Sequence, residues 1–286
     1  VLENEVSQEG NTYLIDAENA AEMARLVTLA RQMTEDMDML FPAHLDLSTV
    51  QDVLDIACGP GQWVTDVATS NPSMHVTGVD ISSLMIAYAK SQVQELPNAH
   101  FQVMDARQAL DLPDQHFDYI QARHIVGFMR TTAWPGLLQE CWRILRPGGT
   151  LRLIESENGG ISNSASLESY SALTAEAMRR AGHCFAPAGN MFGITPMLPR
   201  LLREQGFQNI RQQPYALNFS AGAEANKGWY ANYRTGMKLV QPFLVQLDVA
   251  TQSEVDPLYE RAMEDMQADD FCALFFYYAV SGEKRL

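Results

Sequence analysis

The sequence has little of what several large protein classes require. Only four of its 286 residues are cysteine, at positions 58, 141, 184 and 272, with no CxxC pair and no clustered histidine. That spacing argues against a zinc site and against a disulfide framework, so no metal is expected, the thiols are expected to be free, and the expected address is the cytoplasm. Positive charge is also scarce: 20 Lys and Arg face 35 Asp and Glu, a formal charge of −15. An acidic surface repels phosphate backbones and anionic membranes, so neither nucleic acid nor a membrane is an expected partner. No run approaches the roughly 20 apolar residues of a membrane span. The densest one, CALFFYYAV at 272–280, has the length and composition of a strand. The opening VLENEVSQEGNTYLID has neither the basic nor the apolar region of a signal peptide.

What is present is ordinary globular material, 47% hydrophobic and 19% charged, in one domain with additions. Met23, Leu26, Ala30, Met33, Met37 and Leu40 recur at spacings of three and four, which predicts a helix capped by Asp16 and ended by Pro42. The same stripe fits packing on the chain's own core or on a second subunit, so a homo-oligomer through this helix is a candidate arrangement. From about 50 to 156, apolar runs (VQDVLDIA, HVTGVDI, HFQVM, FDYIQA, TLRLIE) alternate with helical stretches, which predicts an α/β fold with a doubly wound, mainly parallel sheet. RPGG at 146–149 reads as the turn opening the fifth strand. Residues 1–48 then form a cap and 49–286 the main domain, with helical lid insertions at about 157–195 and 222–268.

The segment VLDIACGPGQW, 53–63, carries the most chemistry. A strand runs into a small-residue loop and then a helix beginning near Gln62, and Gly59 and Gly61 allow a ligand to approach the backbone. Asp80 ends the next strand, where a carboxylate accepts both hydroxyls of a ribose; its other reading is a helix cap, a task that falls more naturally to Ser82 or Ser83. Asp105 ends the third strand, placed for an adenine amino group, with simple turn formation as its other reading. The loop reads AxGxG rather than GxGxxG, and bulky Trp63 follows it, so a dinucleotide is disfavoured.

In order and spacing, VLDIACGPG, GVDIS with Met85, MDA, FDYIQAR and ILRPGGTLRLIE resemble the class I S-adenosylmethionine-dependent methyltransferases, and most closely those acting on small molecules of secondary metabolism. The resemblance implies a Rossmann-like, seven-stranded sheet with an antiparallel last strand, supplied by FCALFFYYAV, and S-adenosylmethionine as cofactor. It implies that Ala57, Gly59 and Gly61 line the methionine half, Asp80 the ribose, Ile81 and Met85 the adenine faces, and Asp105 with Ala106 the adenine edge. Ala122 and Arg123 at the end of the fourth strand are further cofactor candidates, Arg123 for pairing with the cofactor carboxylate or else for bracing the loop. Ala57 departs from the glycine common in the family. The D/N-P-P-Y/F turn of nucleic-acid amino-methylating enzymes is replaced by Ala122-Arg123-His124, and neither a catechol-type metal set nor a paired-glutamate hairpin is found. A small, partly apolar acceptor methylated at carbon, oxygen or nitrogen is therefore expected.

Within that frame His124 is a candidate base, or else a packing histidine. Glu155, ending the fifth strand, is a candidate base or acceptor-orienting group, or else a solvated carboxylate. Tyr13 is a candidate for closing over the cofactor or touching the acceptor. Tyr170, Phe185, Phe192, Trp229 and Tyr233 are candidate pocket aromatics, and His183 is expected at the surface. Two rival functions use the same cofactor site: cyclisation or rearrangement with or without methylation, and a non-catalytic nucleoside-binding module.

Overall fold

A computed structural model describes residues 13–37, 40–187 and 191–285; residues 1–12 of the predicted cap lie outside them. Helix α1 spans Ala20–Asp36, β1 Asp52–Ile56, α2 Gln62–Ser70, β2 His75–Asp80, α3 Ser83–Gln92, β3 Ala99–Val103 and β4 Phe117–Arg123. Then come α4 at Trp134–Ile144, β5 at Leu145–Glu155, β6 at Ile161–Ser162, α5 at Ala165–Arg180 and α6 at Leu198–Gln205. β7 at Gln208–Asn218, α7 at Asn226–Gln246, α8 at Gln252–Asp265 and β8 at Ala273–Glu283 complete the chain.

The sheet runs β3-β2-β1-β4-β5-β8-β6, with β7 on the other edge of β8. β1 to β5 pair in parallel and β8 is antiparallel to β5, as the resemblance implies. The count is eight rather than seven because the two-residue β6 also pairs with β8. Strand order reverses between β1 and β4, the place where open α/β sheets leave a crevice at the carboxyl ends of their strands. The apolar runs fill the interior: Val53, Leu54, Ile56, Val76, Val79, Tyr119, Ile120, Leu151 and Leu153 have no exposed surface.

Local chemistry explains most boundaries. Ser82 caps α3, its hydroxyl accepting from the Met85 amide at 3.1 Å, and Gly206, at φ +104°, ends α6 in the left-handed conformation that glycine adopts freely. Three expectations are corrected. Asn19, not Asp16, caps α1, its side chain accepting from the amides of Ala21 and Glu22. The helix stops at Asp36, well before Pro42, with Met37 as its cap. Arg146-Pro147-Gly148-Gly149 lies inside β5, beside a shift in the β4 register between Phe117 and Tyr119.

The methionine and leucine stripe of α1 is used within the chain. Met33 and Met37 are buried, Leu26, Ala30 and Met33 face a cavity over the sheet, and α1 packs on α7 and α2. The stripe thus supplies no argument for a subunit contact. Among the described residues no helix is long and apolar enough to cross a membrane, and no cluster of His, Cys, Asp or Glu is arranged to hold a metal.

Candidate active site

The loop after β1 is curled tightly, with positive φ at Ala57 (+57°), Gly59 (+54°) and Gly61 (+79°). Ala57 thus stands in the left-handed region, at a cost of about 1–2 kcal/mol to an L side chain. The Gly59 amide donates to Asp80 Oδ2 at 2.8 Å and the Ser82 amide to Oδ1 at 2.9 Å, so one carboxylate ties the loop to the start of α3. The two glycines do different work. A Cβ on Gly59 would meet only Leu26 Cδ1, at 3.9 Å, and points into open space. A Cβ on Gly61 would lie 2.5 Å from Phe101 Cε1 and 2.8 Å from Ala89 Cβ, so Gly61 is required by the packing of α2 against β3 and α3, not by ligand approach.

Above this loop lies a cavity of about 140 Å³ lined by Ala57, Gly59, Asp80, Ile81, Met85, Asp105, Ala106 and Arg123, and roofed by Leu26, Ala30 and Met33 of α1. Burial raises the Asp80 pKa, against the two amides that hold its charge. At Asp105 burial also opposes ionisation, but Arg107 outweighs it and the net shift is downward. Arg107 gives Asp105 Oδ1 its amide and Nε, both at 2.9 Å, and Oδ2 its Nη2 at 2.8 Å. A carboxylate accepts about four hydrogen bonds, so one acceptor position remains. Below, Asp55 is 1% exposed, and burial, opposed by the Arg123 charge, pushes its pKa up to about 6.

A second cavity, of about 260 Å³, adjoins the first. It is walled by Tyr170, Phe192, Trp229, Tyr233, Phe275 and Tyr277 together with Arg25, Ser156 and Asn232. Tyr13, Leu26, Leu29 and His124 line both cavities and form their common wall. Tyr13 is fixed from two sides. Its hydroxyl donates to Glu22 Oε1 at 2.8 Å, and the next residue's amide donates to Gly127 O at 3.2 Å. A side chain at Gly127 would press on Leu14 and Tyr13 at 2.8–3.0 Å.

Residues 53–149 match the family described as Methyltransferase domain. Methyltransferase pytC of Aspergillus terreus is 26% identical over 259 residues, covering 86% of this chain and 75% of that protein. A demethylmenaquinone methyltransferase of Lactococcus lactis is 31% identical over 107 residues, 37% of this chain and 42% of that protein. Haemonchus contortus phosphoethanolamine N-methyltransferase 2, solved in complex with S-adenosyl-L-methionine, shares the fold at TM-score 0.50 and 18% identity over 92% of this chain; the match spans about half of that chain, 52%. Residues 53–149 are thus a methyltransferase domain, and its cofactor is S-adenosylmethionine.

The methyltransferase site fits that cofactor. The open side of Gly59, the acceptor positions left on Asp80 and Asp105, and Arg123, whose Nη1 is buried without a hydrogen-bond partner among the described residues, suit a nucleoside carrying an amino acid. Several candidate residues lie elsewhere than expected. Glu155 is fully buried and lines neither cavity; its Oε1 accepts from the amides of Ile125 (2.8 Å) and Val126 (3.3 Å), so it caps the turn after His124. Burial holds its pKa well above the usual carboxylate range. Ala122 is sealed in the core beneath Arg123, and Phe185 packs against the main core outside both cavities. His183 is not at the surface: it is 1% exposed, with Nδ1 3.0 Å from Val126 O.

His124 lies in the common wall with φ +53°. Its Nε2 is buried without a partner among the described residues, and burial, reinforced by the charges of Arg123 and Arg25, pushes its pKa down to about 3. A base serves best with a pKa near the working pH, so in this arrangement His124 is a neutral hydrogen-bonding group. Three groups escaped the sequence reading: the Glu22–Arg25 pair, Asn232, and the β8 aromatics Phe275 and Tyr277. The i,i+3 spacing of Glu22 and Arg25 and the period of two along β8 were the available signals.

Proposed function

We propose that this methyltransferase acts on a small organic acceptor of natural-product type, held in the second cavity, at carbon, oxygen or nitrogen. Bound S-adenosylmethionine supplies a methyl group on a sulfonium, electrophilic enough for direct displacement. The chain's own tasks are then alignment, exclusion of water and orientation of the acceptor. In this reading Asp80 receives the ribose, Asp105 and Ala106 the adenine edge, Ile81 and Met85 the adenine faces, and Arg123 the cofactor carboxylate. Tyr13 and His124 meet the reacting centre, and Tyr170, Phe192, Trp229 and Tyr233 bound the acceptor.

The observation carrying this reading is the common wall: Tyr13, Leu26, Leu29 and His124 line both cavities, so two ligands bound one in each would meet there. The apolar and aromatic walls of the second cavity favour an apolar acceptor, and the named acceptor of the Lactococcus lactis relative, demethylmenaquinone, is of that kind. Crystals grown with S-adenosylhomocysteine and 2-naphthol test it. The nucleoside is expected over Gly59 and the naphthol among Trp229 and Tyr170; either molecule elsewhere contradicts the reading.

A further inference from the structure

Among the described residues lining the acceptor chamber, Arg25 is the one with a fixed charge. That charge is met from behind. Glu22, one turn earlier on α1, is 0% exposed and does not reach the cavity. Its Oε2 accepts from Arg25 Nε at 2.7 Å and its Oε1 from Nη2 at 2.6 Å, with the Tyr13 hydroxyl as a third donor. Arg25 Nη1 donates to Asn232 Oδ1 at 2.7 Å, spanning from α1 to α7. The guanidinium is therefore paired in bidentate fashion and its remaining edge is also engaged.

Other polar groups of the wall are likewise turned toward protein. The Tyr170 hydroxyl donates to Met237 O and the Tyr233 hydroxyl to Gly159 O, while Thr174 Oγ1 donates to Tyr170 O at 3.1 Å. His124 is neutral there. An ion entering such a chamber gives up its hydration and finds no uncompensated opposite charge, whereas an uncharged ring loses little and gains aromatic contact.

We propose that Glu22 sets the acceptor class: by neutralising Arg25 it keeps the chamber free of net charge and restricts it to uncharged, largely apolar acceptors. The inference rests on the second cavity being the acceptor chamber. Replacing Glu22 leaves the Arg25 charge bare at the wall and converts the chamber into one that prefers anions.

The test is calorimetric titration of the S-adenosylhomocysteine complex at pH 7.5 with 2-naphthol and 2-naphthoate, after cofactor-product binding has been measured in each variant. The wild type is expected to favour 2-naphthol by about tenfold or more, and Glu22→Gln to gain about tenfold for 2-naphthoate. The double variant Glu22→Gln with Arg25→Gln removes both charges and is expected to keep the wild-type preference, which a merely structural role for the pair does not predict. If Glu22→Gln does not fold, the double variant and the wild-type preference carry the test. A wild type that fails to bind S-adenosylhomocysteine overturns the cofactor site itself. With that binding intact, binding of neither probe overturns the second cavity as acceptor chamber, whereas equal affinity for the two probes, a changed preference in the double variant, or an unchanged preference in a folded Glu22→Gln overturns the role of Glu22.

Discussion

The first cavity, proposed for the cofactor, takes its loop, Asp80, Asp105 and Arg123 from the ends of four parallel strands, β1 to β4, all within residues 57–123. The second cavity, proposed for the acceptor, takes its walls from residues 13–15, α1, the turn after β4, α5, α7 and β8, which span almost the whole chain. In the first region each residue's task follows from its place at a strand end, because the sheet fixes the geometry. In the second, position depends on how helices from distant segments pack on one another, and the same side chain serves as wall, latch or core according to that packing.

The largest effects are expected at the two glycines of the β1 loop. Gly61→Ala is expected to cost about 3 kcal/mol or more, because a left-handed residue gains a Cβ inside contact distance of Phe101 and Ala89. Gly59→Ala is expected to cost about 1–2 kcal/mol and to weaken S-adenosylhomocysteine binding about tenfold, its methyl entering the cavity. Denaturant melts and calorimetry on the two variants separate packing from ligand approach, and equal effects on binding sink the distinction.

On the acceptor side, Trp229 stacks on Phe219 at 5.3 Å and lies 4.5 Å from Phe275, between ring centroids. Trp229→Phe is expected to lose about 1–3 kcal/mol of stability and several-fold of 2-naphthol affinity, with S-adenosylhomocysteine affinity unchanged. Weakened cofactor-product binding would show that the two regions are not separable.

Glu155 belongs to neither cavity but holds the turn that carries the common wall. Its folded pKa lies above the unfolded value, so the stability it contributes is full below about pH 4.5 and is lost as pH rises through the folded pKa. Glu155→Gln keeps an acceptor for the Ile125 and Val126 amides without the titration. It is expected to match the wild type near pH 4.5 and to be the more stable of the two at pH 7.5. A variant less stable at both pH values contradicts a protonated Glu155. The smallest expected effect is an absence: with His124 neutral above about pH 3, the pH profile of methyl transfer shows no inflection near 6.5. An inflection there that disappears in His124→Gln restores the histidine as a base.

Legibility in the sequence follows the same division. The strands β1 to β5, β8 as a strand and the placement of Asp80 and Asp105 at strand ends were readable, because apolar runs and turn residues are local signals, whereas the antiparallel direction of β8 came only from the family resemblance. Gly61 was readable as a glycine but not for its reason, since Phe101 and Ala89 are distant in sequence. Glu155 looked like a rim carboxylate because its strand ends at the ligand-binding edge; only the turn at 125–126 folding over it shows that it is buried. Nothing in the sequence marks Glu22 and Arg25, because an i,i+3 pair of opposite charge on an amphipathic helix is usually a solvated one. What buries them is α7, about 200 residues away, through Asn232.

In the proposed arrangement the cavity over Gly59 holds the cofactor, with Asp80 as its anchor, apart from the second cavity. Titration of S-adenosylhomocysteine into Asp80→Ala and Trp229→Phe, each shown to be folded, tests it most directly. Asp80→Ala is expected to lose at least about a hundredfold in affinity and Trp229→Phe to keep the wild-type value. Undiminished binding by Asp80→Ala would contradict it.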